Sequence, residues 1–460
     1  MKSRNNSTSF YQPKNILIFF SLLLVCFSGC KKFVDVDLPP DLVNTSEVFS
    51  NEGSAQSAMR GVYAYTTNSN AITSMFKTVG LSSDDLQKTS YSAEETMFAT
   101  NVIAPGSSSI LNIWRGFYNI IYQCNNIVLN VSVSSGLSEN TKNELIGEAK
   151  FIRAFCYFYL VNLWGDVPIN LVTDYDVARL LPRSSATEVY SQIVDDLLDA
   201  QSKLSSTLYT MSGDRIRANK WAATALLARV RLYQKNWVDA ETQASAVINS
   251  GFYQLESLTS VFYATSSESI LQLANSGINR YTFVNLTGSS VTNPAYRLTS
   301  SIAASISAGD GRRAAWLTPT LNGSYKYKAY SNTTGPSTPE AVNVLRLAEM
   351  YLIRSEARAQ QDKVTGLNSA ESDLNLIRSR AGLPDTSAIT KAEMLPAIYT
   401  ERTREFFGEW GHRWLDVKRT GQADLVFGAV KPGWVSQAAL YPIPYSDIQK
   451  NINLTQNPGY

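Results

Sequence analysis

One histidine, His412, occurs in 460 residues. With so little imidazole, a Cys/His metal cage has almost nothing to be built from, and a serine or cysteine triad would have to use His412 itself. Cysteine is nearly as scarce. Of four, Cys26 and Cys30 fall in the first thirty residues, which leaves Cys124 and Cys156. No CxxC spacing occurs, so zinc ribbons and thioredoxin-like redox motifs are excluded. Both remaining cysteines lie in apolar, helical-looking stretches and read as buried free thiols rather than a disulfide. Charge is thin too, with 17% Asp, Glu, Lys and Arg against a usual quarter. The formal net charge is +2, and there is no basic stripe of the kind nucleic acid requires. No uninterrupted apolar run reaches the roughly 20 residues that span a bilayer.

One almost unbroken run, Ile16–Phe27, interrupted by Ser21 alone, sits in a telling place. Lys2, Arg4 and Lys14 precede it with no acid, and Ser28, Gly29 and Cys30 follow. A basic start, a short apolar core and small residues at the cleavage point make a secretory leader. Cysteine directly after Ser-Gly makes it a lipoprotein leader, with residues 1–29 removed and Cys30 lipidated. The acyl chains then hold the protein to a membrane at about 0.8 kcal/mol per buried CH₂, without spanning it. Loss of residues 1–29 takes away three bases and no acid, so the remainder carries −1. Residues 30–51 follow with Asp35, Asp37, Pro39-Pro40 and Asp41, an extended tether by composition.

Aromatics supply what charge does not: 24 Tyr, 18 Phe and 8 Trp. With abundant Ser, Thr and Asn, this composition suits neutral, hydroxylated ligands, because ring faces cover the apolar faces of sugars and amides reach the hydroxyls. A large aromatic core gives the same count. Helical periodicity begins at Ala55, Ala58, Met59, Val62 and Tyr63. It predicts helices over 110–131, 141–163 (ended by Gly165 and Pro168), and 187–204 with Thr187 as N-cap. Residues 215–235 and 237–250 read as an alanine-lined helical hairpin broken at Asn236. Leu345, Ala348, Tyr351, Leu352, Ser355 and Ala357 begin another hairpin, completed by Ala370, Leu374 and Ile377. The 215–250 hairpin resembles a tetratricopeptide repeat, with Leu227, Ala228 and Ala240 at the expected offsets and the large aromatic expected near Ala244 missing. Trp114, Trp164, Trp221 and Trp237 read as core. The expected fold is therefore mainly α: tetratricopeptide-like helical hairpins, stacked so that they bury a continuous core. Residues 52–460 form one domain, with scaffold over about 52–254 and 339–460. Residues 65–106 read as long loops, and about 255–338 as an irregular insertion with strand-like pieces such as 269–274. Such insertions on a rigid scaffold are where binding sites lie.

The chain resembles the SusD/RagB family of outer-membrane nutrient-binding lipoproteins. The resemblance rests on blocks in order along the chain: Cys30-Lys-Lys-Phe-Val-Asp-Val-Asp-Leu-Pro-Pro; Arg153-Ala-Phe-Cys-Tyr-Phe-Tyr-Leu-Val-Asn-Leu-Trp-Gly-Asp-Val-Pro168; Pro182-Arg-Ser; Leu345-Arg-Leu-Ala-Glu-Met-Tyr-Leu-Ile-Arg-Ser-Glu-Ala357; Ile377-Arg-Ser-Arg-Ala-Gly-Leu-Pro384; Glu401-Arg-Thr-Arg-Glu405; Gly411-His-Arg-Trp-Leu-Asp-Val-Lys-Arg-Thr-Gly421; Tyr441-Pro-Ile-Pro444; and Gln456-Asn-Pro-Gly-Tyr460. The resemblance implies a SusD-like fold and a lid over a SusC-like TonB-dependent outer-membrane transporter. The lid would capture an oligosaccharide or similar nutrient outside the cell, with no cofactor and no catalysis. Lys31 stands where an Asp would favour retention at the inner membrane, which fits outer-membrane sorting.

Within these blocks Arg153, Arg346, Arg354, Arg378, Glu401, Arg402, Glu405, Arg413 and Asp416 look like catalytic equipment. Glu401 and Glu405 lie at i and i+4, and a glycosidase needs two carboxylates. It also needs one with a raised pKa, whereas neighbouring arginines lower it, so these residues read as ion pairs that tie the last helices to the scaffold. His412 reads as structural and 457–460 as a turn pinning the chain. Ligand candidates come from the two irregular stretches, chosen by location and chemistry alone. The first gives Met75, Phe76, Asp84, Asp85, Tyr91, Phe98 and Asn101. The second gives Arg280, Tyr281, Asn293, Tyr296, Trp316, Asn322, Tyr325 and Tyr327. No metal ligands are assigned, and no calcium loop of the EF-hand type occurs. Two rival readings share the leader: a periplasm-facing helical scaffold that binds other proteins, and a glycosidase.

Overall fold

The computed structural model describes residues 45–207, 215–273, 296–318, 323–324, 326–327 and 340–460. The leader, Cys30 and the tether as far as residue 44 lie outside the described residues. The chain divides into two units, Met1–Val48 and Phe49–Tyr460. In the first, only the short helix Thr45–Val48 is described.

The second unit is mainly helical. Its principal helices are α1 (Glu52–Asn68), α2 (Asn70–Ser82), α3 (Ala93–Thr100), α4 (Ser108–Val133), α5 (Glu139–Trp164), α6 (Ala186–Lys203), α7 (Lys220–Tyr233), α8 (Trp237–Ile248), α9 (Leu347–Gln360), α10 (Ala370–Arg380), α11 (Lys391–Phe406) and α12 (His412–Arg419). Their starts are chemically specified. Ser185 caps α6 in a reciprocal box with Glu188, which moves the cap two residues ahead of the expected Thr187: the Ser-x-x-Glu spacing satisfies two backbone donors at once. Asn236 does not merely break the hairpin. Lys235 turns at φ 59° and the Asn236 side chain then accepts from the Asp239 N–H of α8.

Neighbours in sequence are neighbours in space. α5 packs on α4 and α6, α7 on α6 and α8, α8 on α9, and α9 on α10 and α11. The alanines of α7 (Ala222, Ala223, Ala225 and Ala228) are fully buried, and their small side chains let the facing helices approach closely. Trp114 and Trp164 meet edge to face at 5.2 Å inside the α4–α5 pair. Trp221 and Trp237 are instead half-buried. Trp221 lies over Phe252 and its indole N–H donates to the Ser206 carbonyl at 2.9 Å, so these two belong to the rim of the scaffold and not its core.

The main departure from expectation lies in residues 65–106. A thirteen-residue helix, α2, runs through it, with Ala71, Ile72, Met75, Phe76 and Val79 buried on one face. Helical spacing is present there, and the intervening Thr, Ser and Asn hide it. The insertion carries little regular structure among the described residues. β2 (Ser269–Gln272) pairs antiparallel with β4 (Asn343–Arg346) through an irregular register. β3 (Arg297–Leu298) pairs with β1 (Leu86–Gln87), placing Leu86 opposite Leu298. Two six-residue helices follow, Ser300–Ser305 and Gly311–Trp316.

The closing segment is held to the middle of the chain. The Tyr441 N–H donates to Leu163 O at 2.7 Å and the Trp164 indole donates to Pro442 O at 2.8 Å. The Asn457 amide donates to both Trp164 O and Tyr441 O and accepts from Arg183. Cys124 and Cys156 are free and buried.

Candidate functional site

Two arrangements need separating: one ionic and sealed, the other polar and aromatic at the surface. The sealed one holds most of the carboxylates that resemble catalytic equipment. Arg346 of β4 contacts Glu268 at 2.9 Å, Glu405 at 2.6 Å and Glu409 at 2.9 Å. Arg312 contacts Asp310 at 2.8 Å, Glu401 at 2.6 Å and Glu405 at 3.0 Å. Arg380 joins Glu268 to Glu405, Arg378 reaches Glu401, and Lys326 contacts Glu409 at 2.6 Å. All five acids are buried, and five cations face them. Burial alone would raise the Glu405 pKa, but Arg380, Arg346 and Arg312 overcome it and hold the carboxylate far below its usual range. A glycosidase acid needs the opposite shift and access to substrate. The lattice instead ties the insertion (Glu268, Asp310, Arg312 and Lys326) to β4, α10 and α11. Other charged residues of these blocks pair likewise: Arg153 with Asp196, Arg354 with Asp373, and Arg402 with Asp416. His412 is buried against Phe406, and burial pushes its pKa down to about 4. It stays neutral and out of reach of solvent.

The surface arrangement forms where the two irregular stretches meet. The β1–β3 ladder joins them, and Thr299 secures the join: its hydroxyl donates to Asp84 O at 2.5 Å and its N–H to Asp85 O at 3.1 Å. Tyr296 then reaches across to donate its hydroxyl to Glu95 at 2.5 Å. Lys88 grips the same carboxylate at 2.9 Å and lies 5.1 Å from the Tyr296 ring centre, within cation–π range. The Tyr91 hydroxyl accepts from the Lys88 N–H at 3.0 Å, and its ring is 37% exposed. Glu95 also closes the capping box of α3 with Ser92. Burial opposes ionisation, yet bonds from Tyr296, the Ser92 N–H and Lys88 bring Glu95 down to about 2. The result is a buried carboxylate whose oxygens are already bonded by Lys88, Ser92 and Tyr296; it fixes Lys88 and Tyr296 beside the part-exposed Tyr91 ring, a face of the kind that stacks on a polyhydroxylated ring.

Of the fifteen ligand candidates, the structure brings Tyr91 and Tyr296 to this surface. Eight others lie inside. Met75 and Phe76 are on the core face of α2, with Phe76 against Trp410 at 4.7 Å. Phe98 packs on Tyr441. Asn101 ends α3 in the left-handed conformation at φ 58° and donates to Ser82 O. Asp84 pairs with Arg413 at 2.7 Å. Asp85 accepts the Gly408 N–H at 2.9 Å, and burial raises its pKa to about 6. Trp316 is fully buried, donating to Leu258 O, and Tyr327 packs on Phe262 at 4.9 Å. Arg280, Tyr281, Asn293, Asn322 and Tyr325 lie outside the described residues. Lys88 and Glu95 complete this arrangement without being among the candidates, although the Ser92-x-x-Glu95 box that orients Glu95 is visible in the sequence. Among the described residues no group of three or more His, Cys, Asp or Glu could hold a metal ion, and no helix is long and apolar enough to cross a membrane.

Comparison with known proteins agrees with this architecture. Residues 32–232 match the family described as "Starch-binding associating with outer membrane", and residues 307–460 match the SusD family. The chain belongs to the SusD/RagB family. It is 25% identical to SusD-like protein P2 of Formosa agariphila over 518 aligned positions, 97% of this chain and 100% of that one. It is 30% identical to SusD-like protein P25 of the same organism over 260 residues, 53% of this chain, so it spans about half (47%) of that relative. A solved structure described as a laminarin-binding SusD-like protein superposes with a TM-score of 0.76 over 89% of this chain and 100% of that one, at 23% identity. That likeness concerns the fold.

Proposed function

We propose that the protein is a lipid-anchored, outward-facing glycan-capture lipoprotein that hands its ligand to a SusC-like TonB-dependent transporter without altering it. Membership of a family described by starch binding at the outer membrane carries this reading. The lipoprotein leader ending at Cys30 supports the anchor, and the tyrosine-flanked junction of the two irregular stretches supports a sugar-binding face. In this reading residues 1–29 are the leader, 30–51 the lipidated tether, and 52–460 one binding domain in which the insertion of about 255–338 carries ligand contacts. The sealed ion-pair lattice serves as the rigid base of that face.

The direct test is a glycan array with the purified protein, followed by titration of any glycan that binds against Tyr91→Ala and Tyr296→Ala. Loss of one stacking or hydrogen-bonding ring should weaken binding about tenfold. Binding unchanged in both variants would move the site elsewhere, and hydrolysis of a bound glycan would refute the non-catalytic reading. Cys30→Ala should abolish incorporation of labelled palmitate, and a pull-down from membranes should recover a large β-barrel transporter. Recovery of soluble periplasmic partners alone would favour the protein-scaffold reading.

A further inference from the structure

A second aromatic cavity opens on a different part of the molecule, built from α4, residues 168–179 and residues 447–454. Its volume of about 480 Å³ lies within the range of small-molecule sites. Trp114 and Tyr118 line it with ring centres 4.9 Å apart, and the Tyr118 hydroxyl is fixed by donation to Pro168 O at 2.8 Å. Tyr122, one turn further along α4, is 47% exposed, and Tyr175 of the short helix Tyr175–Ala178 is 76% exposed. Both are unusually open for tyrosines that line one cavity, and neither is needed by the core.

The rim is charged. Arg115 contacts Asp447 at 3.2 Å and Arg179 contacts Asp176 at 3.0 Å. Both pairs are solvent-exposed, and such pairs contribute little, so either guanidinium can turn to a ligand. Lys450 also lines the cavity and has no ion-pair partner among the described residues. Among the residues that line the cavity, three cations, Arg115, Arg179 and Lys450, face one acid, Asp447; Asp176, which pairs with Arg179, and Asp174, which caps the short helix, lie outside that lining. None of the described residues that line the cavity belongs to a strand that could pair with an extended peptide. It offers ring faces and side-chain donors instead.

We propose that this cavity binds an acidic sugar, a pyranose ring that carries a carboxylate or a sulfate, with Tyr122 and Tyr175 covering the ring and Lys450 neutralising the anion. This extends the proposed glycan capture and rests on that reading for the class of ligand. It concerns a site separate from the Tyr91–Tyr296 junction.

The test uses the full chain in detergent, titrated calorimetrically with oligogalacturonate, a sulfated galactan oligosaccharide and laminarihexaose as the neutral control. Oligogalacturonate or the sulfated oligosaccharide should bind, with affinity falling as salt rises. The surface substitutions Tyr122→Ala and Tyr175→Ala should each weaken that binding about tenfold. Lys450→Glu should do so by at least as much and reduce the salt dependence, while Lys450→Arg should retain both. Tyr91→Ala should leave it unchanged. Failure of both acidic oligosaccharides to bind, or binding indifferent to the three cavity substitutions, overturns the proposal. If laminarihexaose or another array glycan still binds through Tyr91 and Tyr296, glycan capture stands while the second site falls. If no sugar of any class binds, both readings fall. Loss of transporter co-purification in the cavity variants, with no change in sugar binding, would reassign the cavity to a protein partner and also overturn it.

Discussion

Replacing Arg346 with methionine tests the ion-pair lattice at its centre. The guanidinium is buried and contacts Glu268, Glu405 and Glu409, and methionine keeps much of the volume. Each of those acids retains another cation: Arg380 for Glu268 and Glu405, Arg312 for Glu405, and Lys326 for Glu409. The loss is therefore that of one buried pair rather than three, about 4 kcal/mol at pH 7. The pH dependence is the sharper signature. In the native protein the depressed pKa of Glu405 contributes stability that is complete above the ordinary carboxylate value of about 4.3 and is lost only as pH falls below it. In the variant the under-compensated carboxylates titrate higher. Protonation then relieves them, and the gap between the two proteins narrows from pH 7 to pH 5. Thermal or urea unfolding followed by tryptophan fluorescence at both pH values measures it. A loss under about 1 kcal/mol, or a gap independent of pH, would refute the account of the lattice as a mutually neutralised buried network.

Three further outcomes are expected. Asp85 has a pKa raised to about 6 by burial, so its charge costs stability in full above that pH, and the cost shrinks as pH falls below it and is gone only near the ordinary Asp value of about 3.9; Asp85→Asn, which keeps an acceptor for Gly408, should be about 3 kcal/mol more stable at pH 7, with about half of that difference left at pH 5 and little by pH 4 in melting experiments. Cys124 and Cys156 are buried, and burial pushes the Cys124 thiol up to about 12, so a thiol reagent should modify neither until the protein is unfolded, as mass spectrometry would record. Tyr296→Phe removes the donor to Glu95 but keeps the ring, so it should weaken glycan binding less than Tyr296→Ala in the same titration; equal losses would mean that the hydroxyl, not the ring, is what counts.

The helices of the scaffold were legible because their apolar residues recur at strict spacing with little between them to confuse it: Ile110, Ile113, Trp114, Phe117, Ile120 and Ile121 mark α4, and the alanines of α7 predict close packing. α2 was missed because its buried face alternates with Thr and Ser, which also favour loops. That error placed Met75 and Phe76 among the ligand candidates. Asp84 and Asp85 misled for a related reason: a short polar pair in an irregular stretch looks like a sugar-binding group, and only the fold reveals that Arg413 and the Gly408 N–H have already claimed it. The junction at Tyr296 depends on pairing between β1 and β3, some two hundred positions apart, and no local pattern signals such a contact. The Glu401–Glu405 pair was readable as structural from its arginines alone, because the sign of the expected shift excluded an acid catalyst before any geometry was known.

The proposed binding face rests on a foundation drawn from far along the chain. Gly408 secures Asp85, Arg413 secures Asp84, and Lys431 donates to Leu81 O. A graft of the first irregular stretch from a relative would therefore need residues 407–431 with it to keep these contacts. The exchangeable unit is a pair of distant segments rather than one loop.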